Sequence, residues 1–385
     1  MARTAERAPE EISVERLKEL LDGDEAFTLL DTRPETDFEG WHIPEAERCG
    51  FKPDADLDVD LFRSKTGLDR EDPIVTICAK GITSEHLAEE LVDAGYEDVR
   101  HVEGGMRAWS AVYDAVDVET GGEVAIVQMQ RRAKGCLGYL VADPDTGAAA
   151  AVDVSRHTDD YRDVADEREW HIERVLDTHI HADHISGGRM LADELGVPYH
   201  LGERVADRDV AFDYDPLARN ETVSVGDIDL KALFTPGHTS GAVSYLVDDE
   251  AVLTGDTVFV DSVGRTELQF GESDAASGAE MLYNSLHGTL LAEPDSVVVL
   301  PGHADPASDA FDPGTEVSTT VRHLRVDLAL LDTDRESFVD HITDAVPEKP
   351  PNYERVIAIN RGQAAPEDDE EAIELELGPN RCAAE

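Results

Sequence analysis

Thr178-His179-Ile180-His181-Ala182-Asp183-His184 places three imidazoles and a carboxylate within seven residues, directly after the strand-like run that ends at Leu176-Asp177. So many nitrogen and oxygen donors on one strand-to-helix loop have few uses besides holding metal. Further donors recur downstream on loops that follow strand-like runs: Thr235-Pro236-Gly237-His238, Thr254-Gly255-Asp256 and Pro301-Gly302-His303. Seven candidate ligands result: His179, His181, Asp183, His184, His238, Asp256 and His303. Any one histidine alone reads better as a structural bystander. The ordered set does not.

Around this centre the chain alternates strand-like and helix-like pieces. VAIVQMQ (124–130), GCLGYLVAD (135–143) and GAAAAVDV (147–154) precede it, and GGRMLADELG (187–196), IDLKALF (228–234) and AVSYLVDD (242–249) follow. Mixed hairpins and helices imply sheets packed together with helices outside. Upstream, SVERLKELL, FTLLDTR, PIVTICAK, SEHLAEELVDAGY, VRHVEG and GMRAWSAVY alternate between residues 13 and 113, the pattern of a parallel sheet flanked by helices. Gly95 stands where a helix C-terminus needs a left-handed residue. The domain reading is therefore an α/β unit over 1–113, a polar Gly121-Gly122 linker over 114–122, a second α/β unit over 123–362, and an acidic mobile tail over 363–385 in which IELEL could form an edge strand.

The 385 residues carry 85 Asp and Glu against 33 Lys and Arg, a formal charge of −52, and only seven of the basic residues are lysines. Such a surface excludes nucleic acid as a main partner and suits a salt-adapted cytoplasmic protein whose self-repulsion is screened by counter-ions. With 41% apolar residues in short clusters, the chain has the material for folded cores and is not disordered. No stretch approaches a membrane span, and the first residues have no signal-peptide core. The four cysteines form no CxxC pair, which leaves neither a disulfide framework nor a cysteine zinc site.

One cysteine stands apart. Cys78 ends the strand-like run PIVTI and opens the loop Ala79-Lys80-Gly81-Ile82-Thr83 ahead of a helix that begins near Ser84. Backbone N–H groups and a helix N-terminus there favour an anion, and Gly81 lets the backbone curl around a thiolate or terminal persulfide. A buried structural cysteine is the competing reading, and it is the one adopted for Cys49, Cys136 and Cys382, which no such loop surrounds.

CAKGITS (78–84), with LLDTRPETDFEGWHIPEA (29–46) before it and LVDAGYEDVRHVEGGMRAW (91–109) after it, resembles the rhodanese-like sulfurtransferases over residues 11–113. The resemblance implies that Cys78 carries a persulfide, that Lys80, Gly81 and Ser84 belong to its cradle, and that Asp31 and Arg33 brace the site. Glu45 replaces the family's usual glycine. The series HxHxDH, PGH, GD and GH resembles the metallo-β-lactamase superfamily over residues 123–310, which implies an αββα sandwich with metal at the sheet edges.

Within that superfamily Gly264-Arg265-Thr266-Glu267-Leu268-Gln269 and LYNSL (282–286) resemble segments of the persulfide dioxygenase branch. That likeness implies one Fe(II) per chain held by His179, His238 and Asp256. His181, Asp183, His184 and His303 then orient these ligands or hold a second metal, and Arg265 and Thr266 bind substrate. The implied reaction oxidises a small thiol persulfide with O2 to sulfite and free thiol, coupled to sulfur transfer through Cys78. Ala304 and Asp305 after His303 depart from the glutathione-using members, so the carrier thiol stays open, as does self-association into a homo-oligomer. The same seven ligands also fit a thioester hydrolase of glyoxalase II type with two Zn or a mixed Zn/Fe pair. A binding module with a closed structural metal is the third class, and open coordination positions argue against it.

Overall fold

The computed structural model describes residues 8–271, 273–306, 308, 311–344, 349–350, 352–378 and 382–384. Residues 1–7 of the expected first unit, and 379–381 and 385 of the expected tail, lie outside them. The chain divides into two compact units whose boundary in sequence falls between Val112 and Tyr113.

The first unit is a five-stranded parallel sheet built from β1 (Glu10–Ile12), β2 (Thr28–Asp31), β3 (Ala46–Arg48), β4 (Ile74–Ile77) and β5 (Val99–Val102), in the order β1-β5-β4-β2-β3. β4 is central and buried at all four positions, which is why IVTI reads as an unbroken apolar run. The helix Ile82–Asp93 packs Leu87, Ala88 and Leu91 against Leu30, Ile74 and Val99. It ends as expected. Gly95 is left-handed (φ +90°), its N–H donates to Val92 O, and Tyr96 N–H reaches back to Leu91 O. These two bonds satisfy carbonyls that the helix end would otherwise strand.

The second unit stacks two sheets. One runs β6 (Tyr113–Val118), β7 (Ala125–Arg131), β8 (Cys136–Ala142), β9 (Ala148–Val152), β10 (His171–Leu176), β11 (Tyr199–Gly202) and β12 (Asp215–Leu217) side by side. The other runs β13 (Thr222–Val225), β14 (Ile228–Phe234), β15 (Val243–Val247), β16 (Ala251–Gly255), β17 (Val298–Pro301) and β18 (Thr319–Thr320). Side chains alternate between two cores. From β8, Leu137, Tyr139 and Val141 enter the layer between the sheets, where Val243, Tyr245 and Val247 of β15 meet them. Leu140 points the other way, toward the helices packed on the first sheet, and Leu246 toward those on the second. Both faces of both sheets are thus buried, each large apolar side chain contributing about 1.5–3 kcal/mol. Among the described residues no helix is long and apolar enough to cross a membrane.

Two stretches depart from the sequence reading. Residues 114–118 of the expected linker belong to β6, which pairs antiparallel with β7 from Tyr113↔Arg131 to Val118↔Ile126. Asp114, Val116 and Val118 face inward, and the inward acid is buried in a forked pair with Arg132 (2.8 and 2.9 Å). In the expected tail, Asp369–Glu376 is a helix, neither mobile nor an edge strand. Its Ala372 and Leu375 pack with Ile185, Val356 and Ile359.

Candidate functional site

In the first unit Cys78 lies just past β4, 4% exposed. Gly81 N–H donates to its Sγ (3.1 Å), and the Ser84 hydroxyl lies 3.3 Å from Sγ and 2.9 Å from Gly81 O. Gly81 caps the following helix in the left-handed region (φ +89°), so the chain curls around the sulfur as the glycine requires. From below, Met106 N–H holds Cys78 O (2.8 Å). A Cβ on Gly105 would come within 2.1 Å of that carbonyl, so only glycine fits. Lys80 is exposed. Arg33 grips the fully buried Asp31 through Nε and Nη2 (2.6–3.0 Å) and donates to Trp41 O (2.6 Å), fixing a loop whose Thr32 N–H pairs with Ile77 O beside the cysteine. The two residues brace the floor of the site.

In the second unit the loops after β10, β14 and β16 bring His179, His238 and Asp256 together. Nε2 of each histidine stands 3.6 Å from Asp256 Oδ2. His179 Nε2 and Asp256 Oδ2 are buried with no hydrogen-bond partner. Leaving such atoms unpaired costs about 1–3 kcal/mol each, more for a charged group, so the cluster is built for something that satisfies them.

The far side of each ligand is occupied. Thr178 Oγ1 lies 2.9 Å from both Asp153 Oδ2 and His179 Nδ1; donating to the carboxylate, it accepts the ring N–H. His238 Nδ1 donates to Arg265 O (2.7 Å), and His303 Nδ1 lies 2.6 Å from Asp256 Oδ1. Both Nε2 lone pairs are thereby turned toward the common point. Burial pushes His179 well below, and His238 below, the usual imidazole value, so both rings are neutral. Burial opposes charge on Asp256, yet His303 beside it holds the carboxyl far below its usual range. Two neutral imidazoles and one carboxylate turned to a common point suit a divalent transition-metal ion.

The other four expected donors divide. Asp183, His184 and His303 gather with a residue that sequence reasoning had set aside, Cys136: one ligand atom from each lies within 4.8 Å of the other three. Asp183 links them, with Cys136 Sγ 3.3 Å and His303 Nε2 2.9 Å from Oδ2, and His184 Nδ1 3.1 Å from Oδ1. His181 turns instead to Asp153 Oδ1 (3.2 Å), grouped with Asp153 and Asp177.

Cys382, expected to be idle in a tail, is fully buried, and its thiol groups with Asp256 and His303. Residues 382–384 are docked there by Arg265 N–H to Cys382 O (3.0 Å) and Ala384 N–H to Val263 O (2.8 Å). Burial raises this thiol well above its usual value. No local sequence signal marks either cysteine, because each reaches the site through pairing with a remote segment.

Arg265 and Thr266 correct the expected substrate contacts. The Arg265 guanidinium is buried and ion-paired with Glu267, while its carbonyl aims His238. Thr266 is fully buried and bonds Ala275 O (3.1 Å). Both hold the scaffold. The cleft that reaches His303, about 140 Å³, is walled by Phe259, Asp305, Phe311 and Val317.

The metal loop is also held from behind. Asn360 donates to His181 O and His184 O (3.0 and 2.8 Å) and accepts Ser186 N–H (2.9 Å). Glu376, 1% exposed, accepts from Ile185 N–H (2.7 Å), Arg131 (3.0 Å) and Arg156 (2.8 Å). Burial opposes its charge, but Arg131 and Arg156 pull its carboxyl down to about 2.

Comparison with known proteins agrees with both halves. The rhodanese-like domain family matches residues 13–112, and the metallo-beta-lactamase superfamily matches residues 132–303. The probable polyketide biosynthesis zinc-dependent hydrolase BaeB of Bacillus velezensis is 32% identical over 173 residues, 43% of this chain and 72% of that protein. A hydroxyacylglutathione hydrolase of Rhodopseudomonas palustris is 35% identical over 134 residues, 34% of this chain but only half of that enzyme. Among solved structures, ETHE1 from Myxococcus xanthus superposes with a TM-score of 0.55 at 25% identity, covering 62% of this chain and 99% of its own. The chain belongs to the metallo-beta-lactamase superfamily. It carries a rhodanese-like domain ahead of the metal-binding one.

Proposed function

We propose that the protein oxidises a low-molecular-weight thiol persulfide with O2 and moves persulfide sulfur through Cys78. The observation that carries this reading is the buried three-residue cluster of His179, His238 and Asp256, in which His179 Nε2 and Asp256 Oδ2 have no hydrogen-bond partner and lie 3.6 Å apart. Similarity to ETHE1 over nearly its whole length supports it. The overall reaction is RSSH + O2 + H2O → RSH + SO3²⁻ + 2H⁺. Bound Fe(II) would supply the redox chemistry toward O2 and a place for the persulfide sulfur.

The protein groups do the rest. Thr178 and the Arg265 carbonyl fix which imidazole nitrogen faces the centre, and His303 holds Asp256. Phe259 and Phe311 line the approach and limit water there. In the first unit, the Gly81 N–H and the Ser84 hydroxyl cradle the Cys78 sulfur. A persulfide on Cys78 would pass its outer sulfur to sulfite, Cys78–SSH + SO3²⁻ → Cys78–SH + S2O3²⁻. Sulfite made by one domain is then a substrate of the other. The charge of −52 goes with a salt-adapted, cytoplasmic setting and small-molecule partners, namely persulfide, thiol, sulfite and O2, without nucleic acid or membrane.

A two-metal thioester hydrolase is the second reading, favoured by the hydrolase relatives and by the Asp183, His184 and His303 group beside the first cluster. Oxygen uptake by anaerobically purified protein given a persulfide separates the two. Hydrolysis consumes no O2.

A further inference from the structure

We infer that Arg208 and Arg361 form an anion site beside the metal loop, taking an oxyanion, either a carboxylate or an inorganic sulfur oxyanion. Arg208 Nη1 and Arg361 Nε are both buried and find no hydrogen-bond partner among the described residues. The charge that acts on Arg208 is like its own: burial first, then Arg361, push its guanidinium down to about 10. Arg361 Nη2 does reach Asp209 Oδ2 (3.3 Å), but that aspartate is 88% exposed and water screens the pair. In a chain with 85 Asp and Glu, two neighbouring guanidinium groups without a buried counter-charge are an unfinished arrangement. Orphaned donors and mutual repulsion make the same demand, which an anion meets.

The main chain brings the two together. Arg208 ends the short turn Glu203–Arg208 after β11, and Arg361 follows the helix Tyr353–Asn360. Ala211 N–H donates to Arg361 O and Gln363 Nε2 to Asp209 O, both at 2.8 Å, so the two segments are pinned to each other. Gly362 is left-handed (φ +71°), and a Cβ there would lie 2.8 Å from the Phe212 ring and 3.1 Å from Arg189 Nη1. Arg189 stacks on Phe212, 4.8 Å from the ring centre, and adds a third guanidinium to the junction. Beside it lies a cavity of about 290 Å³ walled by Arg156, Arg189, Phe212 and Asn360, with room for a small organic anion.

Guanidinium groups match oxyanions, whose spaced oxygens accept their forked N–H donors. The position relates the site to the metal centre. Arg208 stands close enough to His238 for its charge to oppose protonation of that ring, and Asn360, the residue before Arg361, holds the carbonyls of His181 and His184. Two sources of the anion fit that place: the carboxylate of the thiol carrier, and the sulfite or thiosulfate that the two domains make. The anion site holds under either reading of the metal centre, while the choice of these two sources rests on the persulfide reading.

The test is calorimetric titration of the full-length protein at constant ionic strength in KCl. Sulfate is the inorganic probe, unreactive toward Cys78, propionate is the carboxylate probe, and propionamide is its uncharged control. Sulfate or propionate should bind and propionamide should not, and Arg208→Gln and Arg361→Gln should each weaken that binding about tenfold or more, the loss of a charge-assisted hydrogen bond. Tighter binding of propionate assigns the carrier's carboxylate, and tighter binding of sulfate assigns the inorganic oxyanion. Binding of neither ion, binding unchanged in either variant, or propionamide bound as well as propionate overturns the site. Should the variants fail to fold, crystals of the unaltered protein soaked in selenate decide: anomalous density within hydrogen-bond distance of both guanidinium groups is expected, and its absence there refutes the site. Oxygen uptake with persulfide reports on the metal centre, so either conclusion can fail alone.

Discussion

The two reactive centres are assembled in opposite ways. The Gly81 N–H and the Ser84 hydroxyl that meet the Cys78 sulfur come from the same short stretch, residues 78–84, a loop and the first turn of a helix. The metal centre draws on loops separated by more than a hundred residues, from Cys136 through His179–His184, His238 and Asp256 to His303, with Asn360, Glu376 and Cys382 behind them. A site made by one short stretch depends on local backbone geometry. A site made by convergence depends on the whole sandwich, and on buried charges that keep the loops in register.

That contrast sets the scale of what substitutions should do. The largest effect belongs to the metal triad. His179→Ala removes one of three ligands and leaves Asp256 facing a gap, so bound iron and oxygen uptake should fall at least 100-fold, measured by metal analysis and an oxygen electrode. The same variant should retain sulfurtransferase activity, since no residue of the Cys78 loop is involved. The converse change, Cys78→Ser, should abolish thiosulfate formation from persulfide and sulfite and leave oxygen uptake within about twofold. Loss of both activities in either variant would contradict two separate sites.

Glu376→Gln probes the convergent site through its support. It leaves Arg131, fully buried, without its counter-charge, a change that costs roughly 3–5 kcal/mol. The pH dependence has a definite sign. The carboxyl is held at about 2, below its ordinary 4.5, so its contribution is complete above 4.5 and is lost as the pH falls toward 2. A shift of that size corresponds to about 3 kcal/mol. Thermal melting at neutral pH should therefore drop by roughly 6–12 °C in the variant, and the gap should close on acidification. A gap unchanged between pH 6 and pH 3 would refute the assignment.

The smallest effect is expected at Thr178. Thr178→Val removes the oxygen that accepts the His179 ring N–H but leaves all three ligands in place. Iron affinity should fall about 10–100-fold with little change in melting temperature.

The same contrast governs what the sequence disclosed. The strand runs and the αββα order were legible because both faces of each sheet are buried, so apolar residues cluster. The Cys78 loop was legible because its chemistry is written contiguously, and the metal donors because His179 stands in a dense run of histidines while His238 and Asp256 follow the loop-marking Pro236-Gly237 and Gly255. What stayed hidden involves partners far away in the chain. Asp114 made β6 look like linker, since nothing local reveals that Arg132 neutralises it. Glu376 made a packed helix look like an acidic tail, since Arg131 and Arg156 lie more than two hundred residues earlier. Arg265 reads as a substrate contact, but its guanidinium is ion-paired with Glu267. Cys136 and Cys382 looked inert for the same reason: each becomes part of the site only through a bridge to a distant segment.

The most direct test of the central claim uses protein purified without oxygen in high salt and loaded with Fe(II). A small thiol persulfide is added in an oxygen electrode, and sulfite is quantified in the same vessel. The account predicts one O2 consumed for each sulfite formed, counting the sulfite that Cys78 carries on to thiosulfate. No oxygen uptake, together with cleavage of a thioester by the same preparation, would contradict it and place the protein among the hydrolases.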